Sequence, residues 1–435
     1  MRRLSVAAWT LAVLLLSWPL GVSPAAAADN VVMVLLDDAR ASDVAGMPTL
    51  QQLAREGATF DHAYSPDPMC APARAIIQTG LYTHRTGVTQ NGVQQFVQSR
   101  VADQGGLQPV RQGSDLDHTF AVALHATGVY TGFVGKFING VPKEVPGWDS
   151  FAVHEPLPGA ASSVYYDYRM RIDGKQVTYG HAARDYSTDV YRGLALKDIE
   201  AAVAARRSFL TMLSLNSAHN PLTAAPRYAD RPGDLRQRTL LAADDAIAAI
   251  VALLKQKGQY DNTYIVVTSD QGLATGRKPA KGVAYEGSIR VPLVVKGPDV
   301  AKGITLHQIV NHADLAPTFL DWLGAPAMDV DGRSLAPLLR GSTPATWRQA
   351  MPISHTAMSS APGVPSWQGV RTTRYAYWKA KGGGAQLYDM QLDPDQRHNI
   401  VTANPSLTQK LSRLTDELAV CGGNDCRTVE DRGLE

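Results

Sequence analysis

The stretch "NVVMVLLDD", residues 30–38, is an apolar run closed by two adjacent carboxylates, Asp37 and Asp38. A strand with one face in water alternates apolar and polar residues; a run without alternation needs cover on both faces, as inside a mainly parallel sheet. Four more runs share this form. "VYTGFVGKF" (129–137) closes at Lys136 and Phe137, and "SFLTMLSLNSAHNP" (208–221) runs into His219. "NTYIVVTSDQG" (262–272) ends in Asp270 and Gln271, and "RVPLVVKGP" (290–298) follows. Helical patterns fill the intervals: "MPTLQQLAREG" (47–57), "YSTDVYRGLALKDIEAAVAAR" (186–206) and "RQRTLLAADDAIAAIVALLKQKG" (236–258). Strands alternating with helices predict an α/β fold, a large mainly parallel sheet flanked by helices. Ligands of such sheets gather outside the carboxyl ends of the strands. Four runs deliver Asp-Asp, Lys, His and Asp-Gln to that edge.

From about Gly341 the texture changes. "WQGVRTTRYAYWKAKGGGAQLYDMQLDPDQ" (367–396) reads as a small antiparallel sheet and "SLTQKLSRLTDELAV" (406–420) as a helix. A smaller C-terminal α+β subdomain is therefore expected, with a division at 1–28, 29–345 and 346–435.

With 435 residues and 45% hydrophobic content, the chain can bury a large core. Its 42 basic and 40 acidic residues nearly balance. A nucleic-acid surface would appear as an excess of Lys and Arg, so no nucleic-acid partner is expected. The first 28 residues carry Arg2 and Arg3, an apolar run broken by Pro19, and small residues from Ala25 to Ala28. That is the layout of a cleavable signal peptide, cut before Asp29. A bilayer span needs about 20 apolar residues, which this run does not supply. A secreted or periplasmic protein without a stable membrane anchor after cleavage is predicted. In an oxidising compartment cysteines tend to pair. Cys421 and Cys426 enclose a short Gly-rich loop and are placed to bridge, which leaves Cys70 alone of the three.

Asp37, Asp38 and Asp270, if brought together with the Gln271 amide, would repel one another unless a cation sat among them. An all-oxygen donor set favours Ca²⁺, or Mg²⁺, over zinc. The competing reading is that each acidic pair caps a helix or holds a loop. Cys70 precedes Pro72, a residue suited to opening a helix, and Gly80 can close that helix. The helix dipole and Arg74 would acidify a thiol there or stabilise a bound anion. The alternative is a buried inert thiol.

"CAPARAIIQTGLYTHRTGV" (70–88) resembles the sulfatase signature C-x-P-x-R followed by T-G-x-Y-x-H. The resemblance runs from about Asn30 to Asn399, ending in "AQLYDMQLDPDQRHNI". Within the family, "GKFING", "PGWDSF" and "KGVAYEGSIRVPLVVKGP" look most like the N-acetylglucosamine-6-sulfatase branch. The resemblance implies an alkaline phosphatase-like α/β fold and conversion of Cys70 to Cα-formylglycine, by a formylglycine-generating enzyme, before folding. It implies Ca²⁺ held by Asp37, Asp38, Asp270, Gln271 and the modified residue 70. It also implies that Arg74 holds the aldehyde hydrate, that Lys136 and Lys281 bind sulfate oxygens, and that His219 lies beside the leaving oxygen. Two positions depart from the family pattern. The last metal position is usually Asn or His where this chain has Gln271. A second histidine often follows the first lysine by two residues, where this chain has Ile138, with Asn139 the nearest polar group.

These implications define an exported hydrolase of a sulfated carbohydrate or aryl sulfate. Phosphodiester or phosphonate monoester hydrolysis, and non-catalytic anion binding, are the competing readings. Among other polar residues, His312 and Asp314 are expected to organise a helix start with Asp314 as cap. His84 and Arg85 are expected to support the Cys70 loop, and Asn91, Asn139 and His181 are weak candidates for substrate contact. Tyr165–Tyr168 and "VTANPSL" read as core and turn.

Overall fold

The structure is a computed structural model describing residues 29–434, apart from 93–114, 141–144, 156, 158–163, 278 and 343. The predicted signal peptide lies outside the described residues. The strands in chain order are β1 (Asn30–Leu36), β2 (Ala58–Phe60), β3 (Ala63–Tyr64), β4 (Tyr130–Gly135), β5 (Ser150–Glu155) and β6 (Tyr168–Ile172). They continue with β7 (Lys175–Tyr179), β8 (Phe209–Ser214), β9 (Thr263–Ser269), β10 (Leu293–Lys296), β11 (Ile304–Leu306) and β12 (Val310–Asn311).

Ten of these form one sheet in the order β11-β2-β10-β9-β1-β8-β4-β5-β6-β7. Its centre, β9-β1-β8-β4-β5, is parallel. β1 lies in the middle with every residue buried. Its even-numbered residues, Val32, Val34 and Leu36, face Leu50, Ile199, Ile247 and Ile250, which come from the helices Pro48–Glu56, Ser187–Ala204 and Leu235–Gln256. Its odd-numbered residues, Val31, Met33 and Leu35, share a second core with Ala75, Phe120 and Phe319 from the opposite layer. Double-sided cover is what the missing alternation required. Each fully buried Val or Leu contributes about 1.5–3 kcal/mol relative to exposure, so the central strand is anchored strongly.

Two details differ from the sequence reading. "RVPLVVKGP" forms β10, which runs antiparallel to β9. Among the described residues the only helix between them is the single turn Glu286–Ile289, and a parallel neighbour would need a longer crossover. The hairpin β6–β7 was not anticipated: β7, "KQVTY", is an exposed polar edge strand without an apolar signal.

The C-terminal region forms a four-stranded antiparallel sheet of β13 (Ala350–His355), β14 (Trp367–Thr372), β15 (Tyr375–Ala380) and β16 (Ala385–Asp389). The helices Pro405–Leu418 and Asn424–Arg432 follow. Val370, Leu387, Leu411 and Leu414 share a core with Ile76, Tyr82 and Ala313 of the larger part. Cys421 and Cys426 are joined by a disulfide.

Candidate active site

The site lies at the carboxyl ends of β1, β4, β8 and β9, roofed by the helix Cys70–Thr79. Asp37 and Asp38 leave β1 together. Successive residues of a strand point to opposite faces, but Asp38 takes φ 58°, the left-handed region that Asp tolerates. This breaks the alternation, and ligand oxygens of Asp37, Asp38 and Asp270 lie within 4.8 Å of one another. Backbone N–H groups of Asp38 and Gln271 donate to Asp270 Oδ1 at 3.2 and 2.8 Å.

Cys70 opens its helix, one residue after the N-cap Met69, and all ten residues of that helix are buried. Gly80, at φ 72°, closes it by donating its N–H to the Ile76 carbonyl. Cys70 Sγ is 4.0 Å from Asp37 Oδ1, and the Asp37, Cys70 and His219 ligand atoms form a second group within 4.8 Å. Arg74 Nε donates to Asp270 Oδ2 at 2.8 Å, and Nη1 donates to Ser214 Oγ and the Lys136 carbonyl, each at 2.7 Å. Nη2, 3.5 Å from Asp37 Oδ2, is buried without a hydrogen-bond partner. Lys136 Nζ is 2.5 Å from Asp37 Oδ2; Lys281 Nζ is 3.1 Å from Asp38 Oδ2 and 3.9 Å from Cys70 Sγ. Three carboxylates thus meet three cations, the balance that buried charge requires.

The electrostatics follow from burial and this pairing. Burial pushes the Asp37 carboxyl up, but Lys136, His219, Arg74 and Lys281 together hold it well below the usual carboxylate range. Asp270 is pushed up to about 6 by burial and by the Asp37 charge. Burial opposes the charge on Lys281, yet Cys70, Asp38 and Asp37 keep it firmly protonated. Burial lowers the His219 imidazole. The Cys70 thiol is raised by burial, which outweighs Lys136 and Lys281. The expected acidification of the thiol is therefore corrected: desolvation dominates at a helix start with no open face.

Gln271 Nε2 donates to Asp38 Oδ1 at 2.6 Å and to Cys70 Sγ at 3.3 Å, whereas its Oε1 is buried with no partner. Leaving a buried acceptor unmade costs about 1–3 kcal/mol. A half-turn of the amide sends that oxygen toward Asp38 instead. Three carboxylates, one of them raised to about 6, and an orphaned amide oxygen are the donor set of a hard divalent cation. The residues fit a divalent metal ion.

All nine predicted site residues, Asp37, Asp38, Cys70, Arg74, Lys136, His219, Asp270, Gln271 and Lys281, fall in this one region. Asn91 Oδ1 accepts from the Ala71 N–H at 3.0 Å and from Asn139 Nδ2, bracing the helix start. Other expectations are corrected. His84 and Arg85 bond away from Cys70, His84 Nε2 to the Cys421 carbonyl of the C-terminal region at 2.8 Å and Arg85 to Asp331 of the larger part at 2.7 Å. Asn311 caps the turn at His312, with Asp314 completing a capping box by accepting from the Asn311 N–H at 2.8 Å; Asp314 also stands at the N-cap position of the helix Leu315–Trp322, without a side-chain cap bond there, and is held by Arg348 at 2.6 and 2.8 Å. His181 pairs with Asp167 on the surface.

Sequence reasoning missed two supports. Tyr165 is in the core as expected, but its hydroxyl also donates to the His219 carbonyl at 3.0 Å. Arg236 reaches the Asp38 carbonyl and, at 3.4 Å, the Ala218 carbonyl, and is itself held by Asp43. A signal for Arg236 existed: a cation in the first turn of a helix opposes the helix dipole and needs a partner elsewhere.

A family profile described as Sulfatase matches residues 29–325, and one described as N-sulphoglucosamine sulphohydrolase, C-terminal, matches residues 280–421. N-acetylglucosamine-6-sulfatases of Homo sapiens and Capra hircus are 29% and 30% identical, each over 94% of this chain and 87% of their own length. A protein solved in complex with its substrate D-glucosamine-2-N,6-O-disulfate superposes with TM-score 0.76 at 23% identity, over 90% of this chain and 97% of that one. A phosphonate monoester hydrolase from Silicibacter pomeroyi gives 0.68 at 21% identity, over 90% and 94%.

Proposed function

Because the chain belongs to the sulfatase family and is a sulfuric ester hydrolase, we propose that it is an exported enzyme removing sulfate from an amino-sugar saccharide of the N-acetylglucosamine-6-sulfate type. In this reading residues 29–345 are the catalytic unit and 346–435 its C-terminal subdomain. The supporting observation is the charge-balanced cluster around position 70: three carboxylates, three cations and an unpaired amide oxygen at converging strand ends.

Asp37, Asp38, Asp270, Gln271 and residue 70 would hold Ca²⁺, which when bound supplies Lewis-acid polarisation of a sulfate oxygen and a template for the nucleophile. Oxidised to formylglycine and hydrated, position 70 supplies the attacking hydroxyl, and its second hydroxyl later expels sulfate and restores the aldehyde. Arg74 has both N–H groups of Nη2 free for that hydrate, because Nε and Nη1 are fixed by Asp270, Ser214 and the Lys136 carbonyl. Lys136 and Lys281 place ammonium groups where sulfate oxygens gain charge, a preorganised clamp in a water-poor site. Lys281 Nζ is the standing proton donor for the departing alcohol. His219, lowered by burial, exchanges that proton rather than storing it.

The test is sulfate release from N-acetylglucosamine-6-sulfate beside phosphate release from the matching phosphate ester, on protein made with a formylglycine-generating enzyme. Mass spectrometry of the peptide spanning residue 70 should show sulfur exchanged for oxygen with loss of two hydrogens. Cys70→Ala should abolish turnover while leaving the melting temperature unchanged. A strong preference for the phosphate ester would instead favour the phosphonate hydrolase reading, which the shared fold keeps in view. Binding of the sulfated ligand without turnover, on modified protein, would favour the anion-binding reading.

A further inference from the structure

The two lysines of the charge cluster are held in different ways. Lys136 directly follows β4, and its backbone N–H donates to the Ser214 carbonyl at 2.9 Å, so the central sheet fixes it. Lys281 lies in a segment without regular secondary structure that leads into the single turn Glu286–Ile289. A lysine ammonium rides on a flexible four-carbon stem, so the place of Nζ depends on what holds the backbone beneath it. Here Nζ stands 3.1 Å from Asp38 Oδ2 and 3.9 Å from Cys70 Sγ.

That backbone is held from the C-terminal region. Gly282, the next residue, takes φ 75° and donates its N–H to the Pro68 carbonyl at 3.1 Å. The Gly282 carbonyl accepts from Trp367 Nε1 of β14 at 2.8 Å. A Cβ on Gly282 would lie 3.3 Å from Met69 Sδ and from His355 Cε1, so this turn is packed between the Cys70 loop and the end of β13. Gln396 uses both ends of its amide: Nε2 donates to the Ala284 carbonyl at 3.3 Å, and Oε1 accepts from the Glu286 N–H at 2.6 Å. Arg371 of β14 holds the Glu286 carboxylate at 2.9 and 3.2 Å. Trp367, Arg371 and Gln396 are all buried, and Met69, Ala284, Ile353 and Trp367 share one apolar cluster. Buried backbone groups outside helices and sheets need partners from elsewhere, and three side chains of the C-terminal region meet that need beside Lys281.

We propose that the C-terminal sheet is a working part of the active site, with Trp367, seconded by Gln396 and Arg371, as the positioning residue that sets where Lys281 Nζ stands. The inference rests on the reading of Lys281 as a sulfate-binding lysine. Displacing a binding group by about 1 Å can cost on the order of 100-fold, so a distant residue that fixes Lys281 bears on the reaction without touching it.

The probe is inorganic sulfate, titrated calorimetrically into the whole chain in the presence of Ca²⁺, in a double-mutant cycle with Lys281→Ala. Trp367→Phe keeps an aromatic ring and loses the N–H. Gln396→Met keeps the length and loses both amide bonds, so that either variant carries the test if the other fails to fold. Each should weaken sulfate about three- to tenfold, the worth of one hydrogen bond. Neither should weaken it further in the Lys281→Ala background, where Lys136 and Arg74 still face the anion. An equal loss in both backgrounds would mark a merely structural role and overturn the proposal, as would unchanged affinity in the single variants or no sulfate binding by wild type. Coupling to Lys281 without turnover of a sulfate ester would remove the enzyme reading and leave the positioning role. Turnover without coupling would do the opposite.

Discussion

Single residues decide whether the charge cluster can hold its cation. Arg236 touches no reacting group; it grips the carbonyls of Asp38 and Ala218, the latter next to His219, and is oriented by Asp43. Partners of this kind, one step removed from a metal ligand, are worth about 10–100-fold in metal affinity or activity. Arg236→Ala should weaken Ca²⁺ binding by that factor in calorimetric titration, with kcat/KM falling in parallel. Arg236→Lys should recover part of it. Undiminished Ca²⁺ affinity in the alanine variant would mean that Asp38 holds its turn without help. Asp37, Asp38, Asp270 and Gln271 were legible because each closes an apolar run. Arg236 was not, because its partners are backbone carbonyls about 200 positions earlier and 18 positions earlier, which no local pattern encodes.

At the scale of elements, β4 sits between β8 and β5 and carries Lys136 on its end. Gly135, at φ 112°, comes so near β8 that a Cβ would lie 1.9 Å from the Ser214 carbonyl oxygen. Gly135→Ala should push β4 off β8, costing about 1–3 kcal/mol in urea unfolding as an overpacked position, and should misplace Lys136, seen as a raised KM. The neighbouring helix Ser187–Ala204 brings Asp198 against Gly132, where a Cβ would meet Asp198 Oδ2 at 2.7 Å. Burial, opposed by a bond from Ser150 and reinforced by Asp173, raises that carboxyl to about 7. Its unfolded value is about 3.9. The folded state binds the extra proton between the two values, so stability is full below about pH 4 and is lost as pH rises through 7. Asp198→Asn removes the charge: it should be more stable than wild type at pH 8 by a few kcal/mol, on the order of 1.4 per pH unit, and nearly equal at pH 4.5. Denaturant unfolding at both pH values checks this, and a gain of the same size at both would count against it. Periodicity revealed these elements; β7, polar and exposed at the sheet edge, left no such trace.

Across the molecule, the C-terminal region is bound to the larger part by a buried ionic cluster as well as a shared core. Arg348 pairs with Asp314 at 2.6 Å and with Glu430 at 2.8 Å, and Glu430 also accepts from Arg333 at 2.9 Å and from the Tyr82 hydroxyl. All three of Arg348, Asp314 and Glu430 are fully buried or nearly so. Breaking such a cluster strands charge inside the protein, at about 3–5 kcal/mol. Arg348→Met should therefore lower the unfolding free energy by that amount. Tryptophan fluorescence and far-UV circular dichroism should still report a single transition in wild type; two separated transitions would show that the parts fold independently. No helix among the described residues is long and apolar enough to cross a membrane. The sequence by itself determined the double-covered strands, the polar residues that end them and the disulfide-ready pair Cys421–Cys426, because these depend on neighbours a few residues apart. Only the tertiary structure decided which way β10 runs, that Cys70 is desolvated rather than acidified, and that His84, Asp314 and His355 serve the junction with the C-terminal sheet. Those outcomes turn on burial and on charges hundreds of residues away, which acquire a distance only when the chain is folded.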